Sequence, residues 1–337
     1  MDPRSDAVVA LPDTHGPPAA PGGASGVKEP RRLLGHLARV LFLVAVVAGA
    51  WWSLREEGDE VAAALATTTV GSLALSLVLV LVGLGVTGAL WGRIFRLHGA
   101  RVPARDVAAI FFVGQLGKYV PGSVWSIGVQ ARMAHGHAVG ARATVSTSLI
   151  FLWVHLATGS LAAGLALPWV PGADELPGGR WVASGACVLT GLAALLPTVV
   201  HGVTRWLARS EDAAWGVVDT WSAVALMTPV WTAYALAMVL LAPEGGLRWS
   251  VESYAALMAA FALGYVAGVA VPVAPAGLGA REGVVVLLLA PTLGLAPAAA
   301  VAVLARVVHT VADFLIALLA WLARPTRTSA TVHQGRD

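Results

Sequence analysis

Seven long runs of apolar residues alternate with short polar segments along the chain. Each run is close to or above the roughly 20 residues that an α-helix needs to span a bilayer. The runs cover residues 37–54, 71–92, 144–169, 181–202, 216–242, 253–273 and 297–322. Because backbone polar groups must be satisfied inside a membrane, the pattern predicts a helix in every run.

Two further apolar stretches, 107–128 and 276–292, are interrupted by glycine and proline. Proline lacks an N–H and disfavours helix at the residue before it, so neither stretch is expected to be a plain span. The sequence therefore predicts an all-α polytopic membrane protein with about 7–8 transmembrane helices and two re-entrant or broken segments.

The two ends of the chain differ from this pattern. Residues 1–34 are rich in proline, glycine and charged residues and cannot bury a core, which predicts a disordered cytoplasmic tail. Residues 35–323 form the predicted membrane domain, and residues 324–337 form a polar C-terminal tail.

Arginine placement predicts the sidedness of the loops, because cytoplasmic loops carry an excess of basic residues. The basic segment before the first run places the N-terminus in the cytoplasm, and the basic loops 92–106 and 130–142 should also be cytoplasmic. Both loops share that side only if 107–128 enters and leaves the membrane on one side. For 276–292 the pattern leaves two alternatives, and the arginines after the last run favour a cytoplasmic C-terminus.

Composition supports this class and excludes others. Of the 337 residues, 57% are hydrophobic and 12% are charged, whereas soluble domains carry about 25% charged residues. The single cysteine, Cys187, excludes an internal disulfide. No hydrolytic triad, metal-ligand spacing or phosphate-binding loop is present, so we expect no enzyme activity, cofactor, metal or nucleic-acid partner. The abundance of alanine, glycine and valine indicates a bacterial source with a GC-rich genome.

The sequence contains a weak internal similarity. Segments 121–159 and 275–313 both start with proline and small residues, continue with an arginine and a glycine-rich turn, and end in an apolar helix with a central histidine. One common offset matches Gly140 with Gly294 and His155 with His309. Repeated halves with broken helices are typical of transporters, although chance similarity between Ala/Gly-rich segments is the alternative.

The first candidate site is the stretch "GKYVPGSVW". Pro121 and Gly122 break the helix there, and in hydrocarbon the freed backbone groups must face protein or a wet cavity. An intramembrane charge is by default a functional hypothesis, so Lys118 is predicted to bind an anionic lipid headgroup, with Tyr119 and Trp125 beside it. Alternatively, Lys118 reaches the cytoplasmic interface and the two aromatic residues anchor the chain there.

The second candidate site is "PAGLGAREG". Its glycines allow close backbone approach, and a helix that starts near Ala280 would direct free N–H groups at an anion. Arg281 could add bidentate phosphate contacts, while Glu282 suits the first turn of a helix. Alternatively, the Arg–Glu pair only ties helices together.

The third candidate site lies in the last helix. Arg306, His309 and Asp313 are spaced three and four residues apart and therefore share one face. They could contact a headgroup or handle protons, and Arg306 and Asp313 should pair with each other or with neighbours because isolated buried charges are costly. A purely structural seam of ion pairs is the alternative. His155 is expected to be an interhelical hydrogen bonder rather than a ligand.

The motifs "GKYVPGSVW", "PAGLGAREG" and "ARVVHTVADFL", in this order, resemble those of the lysylphosphatidylglycerol synthase transmembrane-region family. The resemblance covers residues 35–322. It implies a flippase-like domain, which in larger members moves an aminoacylated phospholipid between leaflets and is fused to a synthase. No synthase domain is recognisable after residue 323, so a stand-alone member is expected.

The resemblance implies a lipid flippase of the bacterial inner membrane that moves an anionic or aminoacylated phospholipid or a polyprenyl-phosphate-linked lipid. Its expected partners are membrane lipids and a separate synthase or glycosyltransferase. Two alternatives are a membrane-embedded transferase that acts on a lipid headgroup, and a non-catalytic partner of a lipid-modifying enzyme.

Overall fold

A computed structural model describes residues 58–120, 125–208, 215–242, 250–271 and 274–324. Helix accounts for 86% of these residues and no strand occurs among them, which confirms the predicted all-helical class. The predicted span 37–54 and the tails at 1–34 and 325–337 lie outside the described residues.

The described α-helices follow one another with short connections. In chain order they are α1 (Gly58–Ala66), α2 (Val70–Leu97), α3 (Ala104–Gln115), α4 (Trp125–His135), α5 (Ala141–Ala166), α6 (Gly179–Leu195), α7 (Pro197–Ala208), α8 (Val217–Val239), α9 (Val251–Ala270), α10 (Ala280–Leu293) and α11 (Leu295–Leu322). Short 3-10 helices occupy Leu116–Tyr119, Leu167–Trp169, Ala173–Glu175 and Pro275–Gly277.

Five of the described helices are long and apolar enough to cross a membrane, and they coincide with five of the predicted runs. They are Val70–Leu97, Ala141–Trp169, Val217–Val239, Val251–Ala270 and Leu295–Leu322. Two of these helices begin at a hydroxyl cap that satisfies a free N–H of the first turn. Thr69 Oγ1 accepts from the Ser72 amide at 3.1 Å, and Ser250 Oγ accepts from the Ser253 amide at 3.1 Å.

The predicted span 181–202 is not one continuous helix. It is divided between α6 and α7, which are bent by 57°. Pro197 opens α7, and the residue before it, Leu196, has the extended backbone that a following proline favours (ψ 127°). The described residues therefore contain five candidate spans, or six if the bent pair forms one, and the predicted count of seven to eight is not confirmed.

The first broken segment folds back on itself. Helices α3 and α4 pack side by side, so closely that a Cβ on Gly114 would lie 2.2 Å from Gln130 Cγ. At the far end of the pair, His137 Nε2 lies 3.9 Å from Asp106 Oδ1, which brings the residues after α4 beside the start of α3. The segment thus returns to the end of the molecule from which it started.

Around the second broken segment, α9, α10 and α11 lie side by side, and each runs antiparallel to the one before it. Helix α10 runs back along α9, with Gly264 beside Arg281 and Gly268 beside Gly277. Helix α11 then runs back along α10 and ends where Arg324 Nε lies 3.4 Å from Asp106 Oδ1. The end of α11 therefore lies beside the basic loop 92–106, the arrangement that the arginine pattern favoured for the C-terminus.

The internal similarity corresponds to matching elements. Gly140 and Gly294 are the N-cap residues of α5 and α11, the two long helices that carry the matched histidines. Helix α5 starts at the end of the molecule marked by Asp106, whereas α11 finishes there. The two segments therefore run in opposite directions, as the halves of an inverted repeat do.

Buried aromatic side chains pack α2, α3 and α5 against one another. Trp91 on α2 stacks on Phe95 at 4.7 Å between ring centroids and lies 5.5 Å from Phe111 on α3. Phe111 in turn contacts Phe151 on α5 at 5.3 Å. All four side chains are buried, so they fix α2, α3 and α5 as one wall of the cavity described next.

Candidate functional site: a charged cavity between two helix breaks

The 3-10 helices Leu116–Tyr119 and Pro275–Gly277, here called the first break and the second break, contact each other inside the helix bundle. Beside them lies a cavity of about 230 Å³, lined by residues of α2, α3, α4, α5, α8, α9, α10, α11 and both breaks. Segments far apart in sequence thus meet at one place, as broken helices do in membrane transporters.

The first break presents Lys118 to the last helix. Lys118 Nζ lies 2.7 Å from Asp313 Oδ2, and the Tyr119 hydroxyl donates to the same oxygen at 2.6 Å. The lysine side chain is 34% exposed, whereas the Asp313 side chain is 7% exposed. The Tyr119 ring also packs on Phe314 at 5.5 Å. Lys118 and Tyr119 therefore compensate a buried carboxylate and join the first break to α11.

The second break is fixed by Glu282, which acts in two ways. Its Oε2 accepts from the Gly279 amide at 2.7 Å and caps α10, while its Oε1 accepts from Arg306 Nη1 at 3.0 Å. Arg306 Nη1 also donates to the Ala276 carbonyl oxygen at 2.9 Å. Ala276 and Gly277 both have positive φ, 48° and 73°, so this turn needs such support. Arg306 therefore joins the second break to α11.

Arg281 lies one residue before Glu282 and has a different environment. Its guanidinium carbon lies 4.4 Å from the centroid of the Phe261 ring, a cation–π contact with α9. Its Nη2 is buried and has no hydrogen-bond partner among the described residues. Within the described part of the chain, no carboxylate forms an ion pair with it. Arg281 is thus a cation that lines the cavity, with Nη2 buried and with no ion-pair partner among the described residues.

The two matched histidines also line the cavity. His309 Nδ1 donates to the Ala305 carbonyl at 2.8 Å, and its buried Nε2 has no partner in the described residues. His155 has both ring nitrogens buried without a described partner, and it packs at 4.5 Å against the Tyr265 ring. The expectation that His155 is an interhelical hydrogen bonder is therefore wrong for the described residues, because aromatic rings surround it instead of polar groups.

Six of the ten predicted site residues lie on the wall of one cavity, and a seventh contacts that wall. The six are Lys118, Tyr119, Arg281, Arg306, His309 and Asp313, and Glu282 is bound to Arg306. Trp125 opens α4 with 53% of its surface exposed and does not line the cavity. Pro121 and Gly122 lie outside the described residues. Arg306 and Asp313 pair with the two breaks and not with each other.

The cavity is also lined by a polar network that the sequence motifs did not predict. Ser148 Oγ donates to Gln130 Oε1 at 2.6 Å, and Trp91 Nε1 donates to Ser148 Oγ at 3.2 Å. All three residues are buried and line the cavity. The hydroxyl residues at 144–148 in an otherwise apolar run were the available signal, because a polar group inside a membrane must find a partner.

The described residues contain five helices, or six if the bent pair forms one span, that are long and apolar enough to cross a membrane. With the internal charged cavity, these helices define a multi-pass integral membrane protein. A family model for the lysylphosphatidylglycerol synthase TM region matches residues 37–317. The chain therefore belongs to this family, as the three motifs predicted. A comparison with curated proteins found no match.

Proposed function

We propose that this protein is a lipid flippase that moves a phosphate-bearing lipid across the bacterial inner membrane, with its N-terminus in the cytoplasm. The observation that carries the proposal is Arg281, whose guanidinium lines the cavity with a buried Nη2 and has no ion-pair partner among the described residues. A buried charge is costly unless something pairs with it, and a guanidinium matches the geometry of phosphate. A lipid phosphate supplies that partner.

The architecture supports transport between leaflets. The first break lies between α3 and α4, a helix pair that starts and ends near Asp106 and would form a re-entrant hairpin in a membrane. The second break lies between the antiparallel helices α9 and α10. Inverted repeats place the substrate at their interface, where one half can rock against the other. The headgroup would cross through the cavity while its acyl or prenyl chains stay in the bilayer.

The other charged residues would hold the breaks in place and exchange partners during transport. Lys118 and Arg306 are bound to Asp313 and Glu282, so an incoming phosphate would compete for these cations after it has met Arg281. His309 would contribute a neutral hydrogen-bonding group. The pairs link both breaks to α11, so a shift of α11 would move both together.

The experiment is a lipid-scrambling assay with the purified full chain in vesicles of neutral phospholipid. Trace lipids with a fluorescent acyl or prenyl chain report, through chemical quenching from outside, how fast each lipid reaches the outer leaflet. We expect Arg281→Ala to slow transport at least about tenfold, the effect of losing one charge-assisted contact to phosphate. Arg180→Gln is the matched control, because Arg180, at the start of α6, pairs with Asp174 and does not line the cavity.

Unchanged transport by a folded Arg281→Ala protein would refute the role of Arg281. Failure of the wild-type protein to move any phosphate-bearing lipid in the panel would refute the proposed function. A new lipid species formed from a labelled headgroup donor would indicate the transferase instead. A stable complex with a lipid-modifying enzyme, without transport by the chain alone, would indicate the partner role.

A further inference from the structure

We infer that the cavity selects a lipid phosphodiester that bears one net negative charge and an uncharged, hydroxyl-bearing substituent, and that it excludes aminoacylated phospholipids. This inference rests on the proposed transport function and specifies its substrate class. It differs from what the family name would suggest, because lysylphosphatidylglycerol carries a lysyl group with two ammonium groups.

The described charged residues around the cavity carry one more positive than negative charge. Among the described residues, Lys118 is matched by Asp313 and Arg306 is matched by Glu282, so Arg281 leaves one positive charge uncompensated. A phosphodiester with a neutral substituent carries one negative charge and would neutralise it. Lysylphosphatidylglycerol has a net positive charge and would add to it, and like charges repel strongly in a medium of low dielectric constant.

The carboxylates of Asp313 and Glu282 are both already bound. Asp313 accepts from Lys118 and Tyr119, and Glu282 accepts from Arg306 and from the Gly279 amide. An ammonium group would have to displace Lys118 or Arg306 from its carboxylate. The Glu282–Arg306 exchange is the costlier of the two, because these side chains are 23% and 19% exposed whereas Lys118 is 34% exposed.

Aromatic rings also line the cavity, and the face of such a ring can hold an ammonium group. The face of Phe261 is already covered by the guanidinium of Arg281 at 4.4 Å. Trp231 and Tyr265 pack against the ring of His155 at 5.0 Å and 4.5 Å between centroids. Of the rings that line the cavity, Phe261 and Tyr265 are thus already in contact with Arg281 and His155.

Two buried histidines indicate which substituent the phosphate carries. His155 is 4% exposed and His309 is 8% exposed, and together they present three buried ring nitrogens without described partners. Buried polar atoms are almost always hydrogen-bonded, and hydroxyl groups can donate to or accept from a neutral imidazole. Glycerol and sugar substituents both supply such hydroxyls, so phosphatidylglycerol and a glycosyl-phosphoryl-polyprenol share the required chemistry.

The test compares three fluorescent lipids in the same vesicles: phosphatidylglycerol, lysylphosphatidylglycerol and a glycosyl-phosphoryl-polyprenol. We expect at least one of the two anionic lipids to move at least about tenfold faster than lysylphosphatidylglycerol, equivalent to about 1.4 kcal/mol. The faster of the two anionic lipids identifies the source of the phosphodiester.

Variants show whether the preference comes from charge. Arg281→Gln keeps a hydrogen-bonding side chain but removes the uncompensated charge, so the ratio of anionic to lysylated lipid transport should fall to within about twofold. Arg180→Gln, the control, should keep the wild-type ratio. If Arg281→Gln does not fold, the wild-type ratio alone decides the question.

Equal or faster transport of lysylphosphatidylglycerol would overturn this inference and leave the proposed flippase function standing. Transport of none of the three lipids would overturn the flippase function and this inference with it. A preference for anionic lipid that Arg281→Gln leaves unchanged would also overturn it, because the selection would then not depend on Arg281.

Discussion

The two helix breaks each carry a cation to the same cavity, but the structure compensates these cations differently. Lys118 at the first break binds Asp313 at 2.7 Å. Arg281 just after the second break stacks on Phe261, and its Nη2 has no described partner. A cation near a helix break is therefore not by itself a ligand site, because what the neighbouring helix offers decides whether its charge is compensated.

Helix α11 makes this difference. It offers Asp313 to the first break and Arg306 to the second, where Arg306 binds Glu282 at 3.0 Å and leaves Arg281 without that carboxylate. Two residues of opposite charge, two helical turns apart on one face, thus give Lys118 an ion-pair partner and leave Arg281 without one among the described residues.

Both breaks need a glycine for close packing, but only the second also needs one for its backbone conformation. A Cβ on Gly117 in the first break would lie 2.6 Å from the Ser126 amide nitrogen. Gly277 has φ 73°, and a Cβ there would lie 2.6 Å from Gly268 Cα. We expect Gly277→Ala to combine backbone strain with a clash against main chain and to lower the free energy of unfolding by about 3 kcal/mol or more. The measurement is reversible unfolding in mixed micelles, followed by circular dichroism.

The matched control is Gly283→Ala on α10, because nothing lies within 4 Å of a Cβ built there. That variant should match the wild-type free energy of unfolding or exceed it by up to about 1 kcal/mol, since its Cβ meets no neighbour and α-helices favour alanine over glycine. If both variants unfold alike, the close approach of α9 and the second break does not contribute to stability as the geometry indicates.

A smaller effect should come from the ion pair at the second break. A double-mutant cycle with Glu282→Gln and Arg306→Gln should give a coupling energy of about 2 kcal/mol, because both side chains are largely buried and share good geometry. Unfolding free energies of the wild type, both single variants and the double variant supply the cycle. A coupling near zero would mean that the ion pair with Glu282 is not what makes Arg306 hold the second break.

The smallest effect should come from the pair at the first break. Lys118 is 34% exposed, so solvent weakens its attraction to Asp313. The same cycle with Lys118→Gln and Asp313→Asn should give about 1 kcal/mol at low ionic strength. The value should fall when the salt concentration is raised from about 50 mM to about 500 mM, whereas the Glu282–Arg306 value should change less. Equal salt dependence would contradict the difference in exposure between the two breaks.

Much of the site could be predicted from chemistry visible in the sequence. Lys118, Arg281 and Asp313 stand out because charges inside apolar runs are costly and therefore have a purpose. Their partners could not be predicted, since spacing along α11 leaves it open whether Arg306 binds Asp313 or another helix. The polar group Gln130, Ser148 and Trp91 was missed because its members come from three separate helices.

The sequence by itself determined the helical membrane class, the positions of five spans and the two charged helix breaks, but not the bend between α6 and α7. These follow from local properties, namely the length of apolar runs, the missing N–H of proline and the energetic cost of charge in a bilayer. Only the tertiary structure decided that the two breaks meet, that the repeat is inverted and that Arg281 remains uncompensated. Those facts depend on contacts between residues about 200 positions apart, such as Lys118 and Asp313, and local periodicity carries no information about such contacts.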